Sequence, residues 1–386
     1  MSEIKRLTEA HYDEIFALSQ FAFQYELTDE AMVKKREEAE RHIIWGTKDY
    51  DKITAKLHLL PLPCYINGKE FEMGGISAVA TWPEYRRKGN IKKLLEHALY
   101  YMKEHGQMVS FLHPFSIPFY RKYGWELAFT EKKYTIPIER LMKDWSVDGY
   151  VRRTDDISLL QRIYTDYAKQ FNGPLVRDEK WWKQRVLTGK LNKAVAYNGK
   201  DQAEGYILYK VKDEVVTIEE LTYRTLDGLK ILLQFIANHD SMAPKVKMTV
   251  PENDNLPLLI DEPRFEQKLE PYFMARIVDV PQFLRHYPFN DAGDRSITLV
   301  VEDSFMLENS GTYQISQRDG KTAVTHIKER KEEGVQCSVQ QLAGILLGHN
   351  RPEELYRLDL LKGTAEEVET LEGFIPHRQT FFPDFF

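Results

Sequence analysis

Two spacings of apolar residues recur along the chain, one with the period of a helix and one with the period of a strand. Ile15, Phe16, Leu18, Phe21 and Phe23 predict an early helix, and the charged stretch Asp29 to Arg41 predicts a second. Ile53-Thr54-Ala55-Lys56-Leu57-His58-Leu59 alternates as a strand does. In Tyr65-Ile66-Asn67-Gly68-Lys69-Glu70-Phe71, an Asn-Gly pair between apolar-rich flanks predicts a hairpin. Gly75 to Thr81 predicts the next strand. Ile91, Leu94, Leu95, Ala98, Leu99 and Met102 then fall at i, i+3, i+4, i+7, i+8 and i+11, one apolar stripe on a helix that His105-Gly106 should close. Met108 to Leu112 predicts a further strand, so strand, basic loop, helix and strand form a βαβ unit.

Residues 150–275 repeat this order. Leu159, Leu160, Ile163 and Tyr164 lie on a predicted helix, and Ala194–Tyr197, Tyr206–Tyr209 and Val215–Ile218 on strands. Leu226, Leu229, Leu233 and Ile236 make a second helical stripe, followed by the strand Val246–Val250. Where the first copy has a basic loop, the second has Leu221-Thr222-Tyr223-Arg224-Thr225: the architecture without the chemistry. Pro281 to Gly293 reads as a linker. A third block carries strands at Ile297–Val301, Thr312–Ile315 and Ala323–Ile327. Ser338-Val339-Gln340-Gln341 there is a capping-box start for the helix Leu342–Leu347. The fold class expected is α/β plus α+β in three domains, 1–150, 151–280 and 281–386.

Composition narrows the classes. Apolar residues are 42% of the 386 and charged residues 29%, ordinary globular usage that excludes disorder and fibres. The net charge of −6 excludes a wholly basic nucleic-acid coat. No apolar run reaches a membrane span. The start Met1-Ser2-Glu3-Ile4-Lys5-Arg6 lacks an apolar export signal, and Cys64 and Cys337 form no metal or disulfide pattern. A cytoplasmic setting is expected. The histidines show no metal-ligand spacing, so no metal is expected.

Against that acidic background, Arg86-Arg87-Lys88-Gly89-Asn90-Ile91-Lys92-Lys93 is a concentrated positive charge between a strand and a helix start. Unpaired backbone N–H groups, a glycine and basic side chains together suit a pyrophosphate. A solvated helix start is the competing reading, and the flanking strand and helix favour phosphate binding.

These residues resemble the GNAT superfamily of acetyl-coenzyme A dependent N-acetyltransferases. Its Arg/Gln-x-x-Gly-x-Gly/Ala signature corresponds to Arg86 through Ile91, with Ile91 departing from the small final residue. A second signature, aromatic-Tyr-x-Lys-x-Gly-aromatic, corresponds to Phe119-Tyr120-Arg121-Lys122-Tyr123-Gly124-Trp125, with Tyr123 in the usual aliphatic place. Two such units, a sterol-carrier-like block and an aromatic chain end resemble the Eis (enhanced intracellular survival) acetyltransferases over nearly the whole length.

The resemblance implies tandem GNAT folds followed by a sterol-carrier-like domain, with only the first unit binding acetyl-CoA. Backbone at Val79, Ala80 and Thr81 would bond the pantetheine arm, and Arg86, Arg87, Lys88, Gly89, Asn90, Ile91 and Lys92 would hold the pyrophosphate. Phe115 and Ser116 would line the coenzyme. Tyr120 would protonate the departing thiolate, a task suited to a phenol with pKa about 10; Tyr123 is its competitor. Neither cysteine has a His or Asp partner in sequence, so direct attack in a ternary complex is expected over an acyl-enzyme.

Phe381-Phe382-Pro383-Asp384-Phe385-Phe386 would expose four phenyl rings unless docked. The resemblance implies docking beside Tyr120, with the Phe386 α-carboxylate as base. It also implies cationic primary-amine acceptors of aminoglycoside, polyamine or lysine type and a homo-oligomer, a hexamer in this family's pattern. An acidic residue often precedes the last aromatic in the family; here Phe385 stands there and Asp384 one position earlier. Phe23 and Tyr25 are candidates for the amine pocket, and Trp181-Trp182 for an interdomain contact. The alternative classes are a lipid-binding module built on the third block and a scaffold that binds coenzyme without transferring acetyl.

Overall fold

A computed structural model describes residues 3–291, 293–318 and 321–386. The long strands Lys52–Ile66 and Lys69–Thr81 form a hairpin over Asn67-Gly68, where both residues take the left-handed backbone that a two-residue turn requires. The first sheet has seven strands in the order Ile4–Leu7, Ile43–Asp49, Lys52–Ile66, Lys69–Thr81, Val109–Leu112, Met274–Ile277 and Glu126–Leu127. Helix Asn90–Glu104 buries Leu94, Leu95, Ala98, Leu99 and Met102, the predicted stripe, against Leu57, Leu59 and Ile76.

The second sheet repeats the plan: Glu266–Pro271, Thr130–Pro137, Lys245–Val250, Val215–Tyr223, Ala203–Lys212, Asn192–Asn198 and Gly149–Arg153. The two halves exchange strands. Thr130–Pro137, assigned by sequence to domain 1–150, pairs inside the second sheet. Met274–Ile277, assigned to domain 151–280, pairs with Val109–Leu112 in the first. A boundary at 150 therefore cuts across the hydrogen-bonded units.

The expected linker Pro281–Gly293 begins instead with the helix Val280–His286. Asp279 caps it by accepting from Gln282 N–H, and Pro281 occupies its first turn, where no donor is needed. The third block is a four-stranded sheet, Lys321–Ile327, Gly311–Arg318, Ser296–Glu302 and Val335–Ser338, under helix Val339–Leu347 with the predicted Ser338/Gln341 capping box. Its inner residues Leu299, Val301, Tyr313 and Ile315 join one apolar core with Phe71, Phe111 and Ala275 of the first sheet. Among the described residues no helix is long and apolar enough to cross a membrane.

Candidate active site

Lys69–Thr81 runs parallel to Val109–Leu112 only as far as the pairs Gly75–Phe111 and Ile76–Leu112. Beyond them the strands part, because Val109–Leu112 ends at His113-Pro114, and proline has no N–H to continue a ladder. On its other side the same strand is bulged: Lys56 faces Ala80 while His58 faces Ser77, and Ala78 takes φ +48°. The parted strands leave two adjoining hollows.

The first, about 600 Å³, is walled by Val79, Ala80, Thr81, Arg86, Arg87, Gly89, Asn90, Ile91 and Lys92 on one side, and by Phe115, Phe119 and Tyr123 on the other. Its formal charges are all positive, with no carboxylate on its walls among the described residues. Arg87 and Gly89 both take left-handed backbone, φ +62° and +78°, which curls the loop onto the start of helix Asn90–Glu104. That start has no side-chain cap, and a Cβ built on Gly89 would meet nothing within 4 Å. Thr81 Oγ1 is buried here without a hydrogen-bond partner. Uncapped N–H groups, basic side chains and an orphaned hydroxyl fit an extended anionic ligand. The second unit contrasts: helix Leu226–Ala237 is capped by Thr225, whose hydroxyl accepts from Gly228 N–H. Lys88 and Ser116, expected at the coenzyme, are not on these walls; the Lys88 ammonium sits 4.7 Å over the Tyr85 ring.

The second hollow, about 550 Å³, adjoins the first at Phe115 and Phe23. Ile76–Ala78, His113, Phe385 and Phe386 wall it, as do Tyr25, His42, His58 and Trp181. Both candidates for the amine pocket, Phe23 and Tyr25, therefore border it. Its charged wall residues are Lys35, Arg41 and Arg185 against Glu38, which Lys35 binds at 2.7 Å and Arg185 at 3.3 Å.

Phe386 is docked, 8% exposed, against Phe273 and Phe382, with its ring over Gly75. It is not packed on Tyr120. The ring neighbours of Tyr120 are Phe115, Phe119 and Trp125, and Phe115 also borders the hollow that Phe386 lines. Tyr120 is 3% exposed and its hydroxyl has no hydrogen-bond partner among the described residues; burial raises its pKa, which keeps the phenol protonated. Tyr123 lies directly on the first hollow.

The tail is anchored one residue before Phe385. The buried Asp384 carboxylate accepts from Arg177 Nε at 3.0 Å and Trp181 Nε1 at 2.7 Å. Its backbone carbonyl accepts from Tyr272 Oη at 2.9 Å. Arg177 is in turn held by Glu220 on strand Val215–Tyr223. Asp384 thus fastens the tail to the second unit, a role its spacing from the last aromatic did not suggest.

Three family models match the chain in succession. Models described as "Acetyltransferase (GNAT) domain" match residues 3–128 and 173–277, and "Sterol carrier protein domain" matches residues 280–383. The N-acetyltransferase Eis of Mycobacterium tuberculosis is 24% identical over 310 residues, covering 75% of this chain and 74% of that protein. The chain carries tandem GNAT domains and is Eis-like.

Among solved structures, a probable N-acyltransferase from Enterococcus faecalis superposes with TM-score 0.93 at 27% identity, covering all of both chains. Eis1 of Mycobacterium abscessus shares the fold, with TM-score 0.83 at 18% identity over 99% of each chain. The Eis-like chain is an acetyl-transferring enzyme of GNAT type, and GNAT acetyltransferases use acetyl-CoA. No cluster of metal-ligating side chains occurs among its described residues.

Proposed function

We propose that this chain transfers acetyl from acetyl-CoA to a primary amine by direct attack in the first GNAT unit. The observation that carries the reading is the uncapped, basic helix start at the mouth of the parted strands, absent from the second unit. Arg86, Arg87 and Lys92 with backbone of Gly89 to Ile91 hold the pyrophosphate, while Lys88 adds charge from outside the wall. The strand edge Val79–Thr81 pairs with the pantetheine amides as an added strand would. Phe115 separates coenzyme from acceptor, and Ser116 lies at the turn that carries it.

Tyr120 donates its proton to the departing thiolate; the burial of its side chain, which keeps the phenol protonated, supports this role. The Phe386 α-carboxylate takes the proton of the attacking nitrogen, and the apolar rings around Phe386 favour the neutral acid enough to make it a usable base. Appending one glycine after Phe386, or deleting Phe386, tests this: kcat should fall while acetyl-CoA still binds. Undiminished turnover in the folded variant removes the carboxylate from the mechanism. Tyr120→Phe should lose kcat with coenzyme affinity retained; a loss confined to Tyr123→Phe moves the acid there.

The acceptor is a primary amine of the lysine, polyamine or aminoglycoside class. The hexamer that the Eis resemblance implies and the cytoplasmic setting expected from cysteine usage are part of the same proposal, and light scattering on the purified protein tests the first.

A further inference from the structure

Lys56 is the unexplained residue of the first sheet. Its side chain is wholly buried, yet no carboxylate pairs with it among the described residues. Its nitrogen bonds the Ala78 carbonyl oxygen at 2.9 Å and His58 Nε2 at 3.2 Å. A buried lysine without an acid is strongly disfavoured as a cation, and burial draws its pKa down to about 7. The chain of contacts continues. His58 Nδ1 lies 3.0 Å from His42 Nδ1, and both rings border the acceptor hollow beside Ser77 and Phe386.

The other groups facing the two imidazoles are cations: Lys35 from helix Asp29–Ala39, Arg41 beside it, and Arg185 from the second unit. Glu38 is already shared between Lys35 and Arg185. With burial, these cations keep both rings neutral, His42 down to about 3. Neutral imidazoles bonded nitrogen to nitrogen admit two orders of protons. With Lys56 protonated, it donates to His58 Nε2, His58 Nδ1–H donates to His42 Nδ1, and the proton of His42 sits on Nε2. With Lys56 neutral the order reverses, and His42 Nε2 becomes an acceptor.

We propose that His42, His58 and Lys56 form a proton relay that takes the ammonium proton of the acceptor before it attacks. This rests on the acetyl-transfer reading above. An acceptor R–NH3⁺ loses two protons in becoming R–NH–CO–CH3, while the thiolate gains one, so one proton must leave the hollow. His42 Nε2 accepts that proton from R–NH3⁺, His42 Nδ1 passes its own to His58 Nδ1, and His58 Nε2 passes its own to Lys56. The freed R–NH2 forms the N–C bond and the C–S bond breaks. The nitrogen's second proton goes to the Phe386 carboxylate while Tyr120 protonates the thiolate, and solvent then takes the proton from Phe386 and restores the one to Tyr120. Lys56 then releases the stored proton to solvent by the reverse path.

The relay sets the acid limb of kcat/KM near pH 7, below the amine's own pKa of about 10. The test measures kcat/KM against pH for Nα-acetyl-lysine methylamide, spermidine and tobramycin in wild type, Lys56→Met and His42→Gln. The expected result in either variant is a loss of about tenfold or more at pH 7 that shrinks by pH 9 as the limb moves to the amine's pKa. A structural defect would not recover with pH. If Lys56→Met does not fold, His42→Gln at the hollow's wall carries the test.

In wild type labelled with 15N-histidine, the ring-nitrogen shifts of His42 and His58 should exchange between tautomers together around pH 7. Profiles parallel to wild type overturn the relay alone. So do histidine shifts that stay fixed from pH 6 to 8. No wild-type turnover of any of the three amines, with the tautomer exchange seen, overturns the acetyl-transfer reading and the relay's role in it.

Discussion

Gly75→Ala isolates the position of Phe386 from everything else the tail does. Gly75 has no left-handed backbone, so alanine meets no conformational strain there, only space. A Cβ would lie 2.7 Å from two carbons of the Phe386 ring and 3.2 Å from a third, and all three close contacts are with this ring. Ordinary carbon contacts lie at about 3.5–4.0 Å, so the ring must retreat by roughly 1 Å. Overpacking of this size costs about 1–3 kcal/mol, and the Asp384 anchor two residues upstream remains to hold the tail.

The fold should therefore survive while the last residue leaves its place. A displacement of about 1 Å at a reacting group can cost on the order of 10²-fold, so kcat should drop by about that factor. Acetyl-CoA affinity should stay within about twofold, since the coenzyme walls lie on the far side of Phe115. Thiol release followed colorimetrically gives kcat, calorimetry gives the coenzyme Kd, and a thermal melt confirms folding. A folded Gly75→Ala enzyme with wild-type kcat would refute the placement of Phe386 at the chemistry.

Other outcomes follow from the same geometry. Asp384→Ala removes one partner of a buried ion pair and should cost about 3–5 kcal/mol in denaturant midpoint analysis; a loss under about 1 kcal/mol would mean the anchor is dispensable. Gly89→Ala has room for its methyl but needs φ +78°, a left-handed cost of about 1–2 kcal/mol. Coenzyme Kd should rise with little change in kcat at saturation, and an unchanged Kd would place the pyrophosphate elsewhere. For Lys56 the folded pKa of about 7 lies below the ordinary lysine value of 10.5. The unfolded chain then binds more protons between those values, and stability rises with pH across that window. Lys56→Met abolishes this term, so its melting temperature should exceed wild type most at pH 6 and least near pH 10. A gap independent of pH would refute the buried charge.

The sequence was informative where neighbours along the chain decide the outcome. The stripe Ile91 to Met102, the Asn67-Gly68 hairpin and the Ser338 capping box are all local, and each stands where its pattern placed it. The helix Val280–His286 carried a signal, Asp279 three residues before Gln282 with Pro281 between, but its proline and short length resembled a linker. Strand exchange left no such trace, because Thr130–Pro137 and Met274–Ile277 look like strands whichever sheet receives them. Lys56 and His58 read as the solvent side of an alternating strand. They are buried because the hollow's walls cover the face opposite Leu57 and Leu59. Asp384 could not be read at all: its partner Arg177 is distant in sequence, and only the folded tail brings them together.

The exchanged strands also impose an order on synthesis. Val109–Leu112 offers an open hydrogen-bonding edge from the time it leaves the ribosome, and the strand that covers it, Met274–Ile277, is made about 160 residues later. At about 5–20 residues per second, that edge stays bare for roughly 8–30 s. The half that is translated earlier is thus completed only by the later one, a nascent chain that would need shelter from its neighbours until the second half arrives.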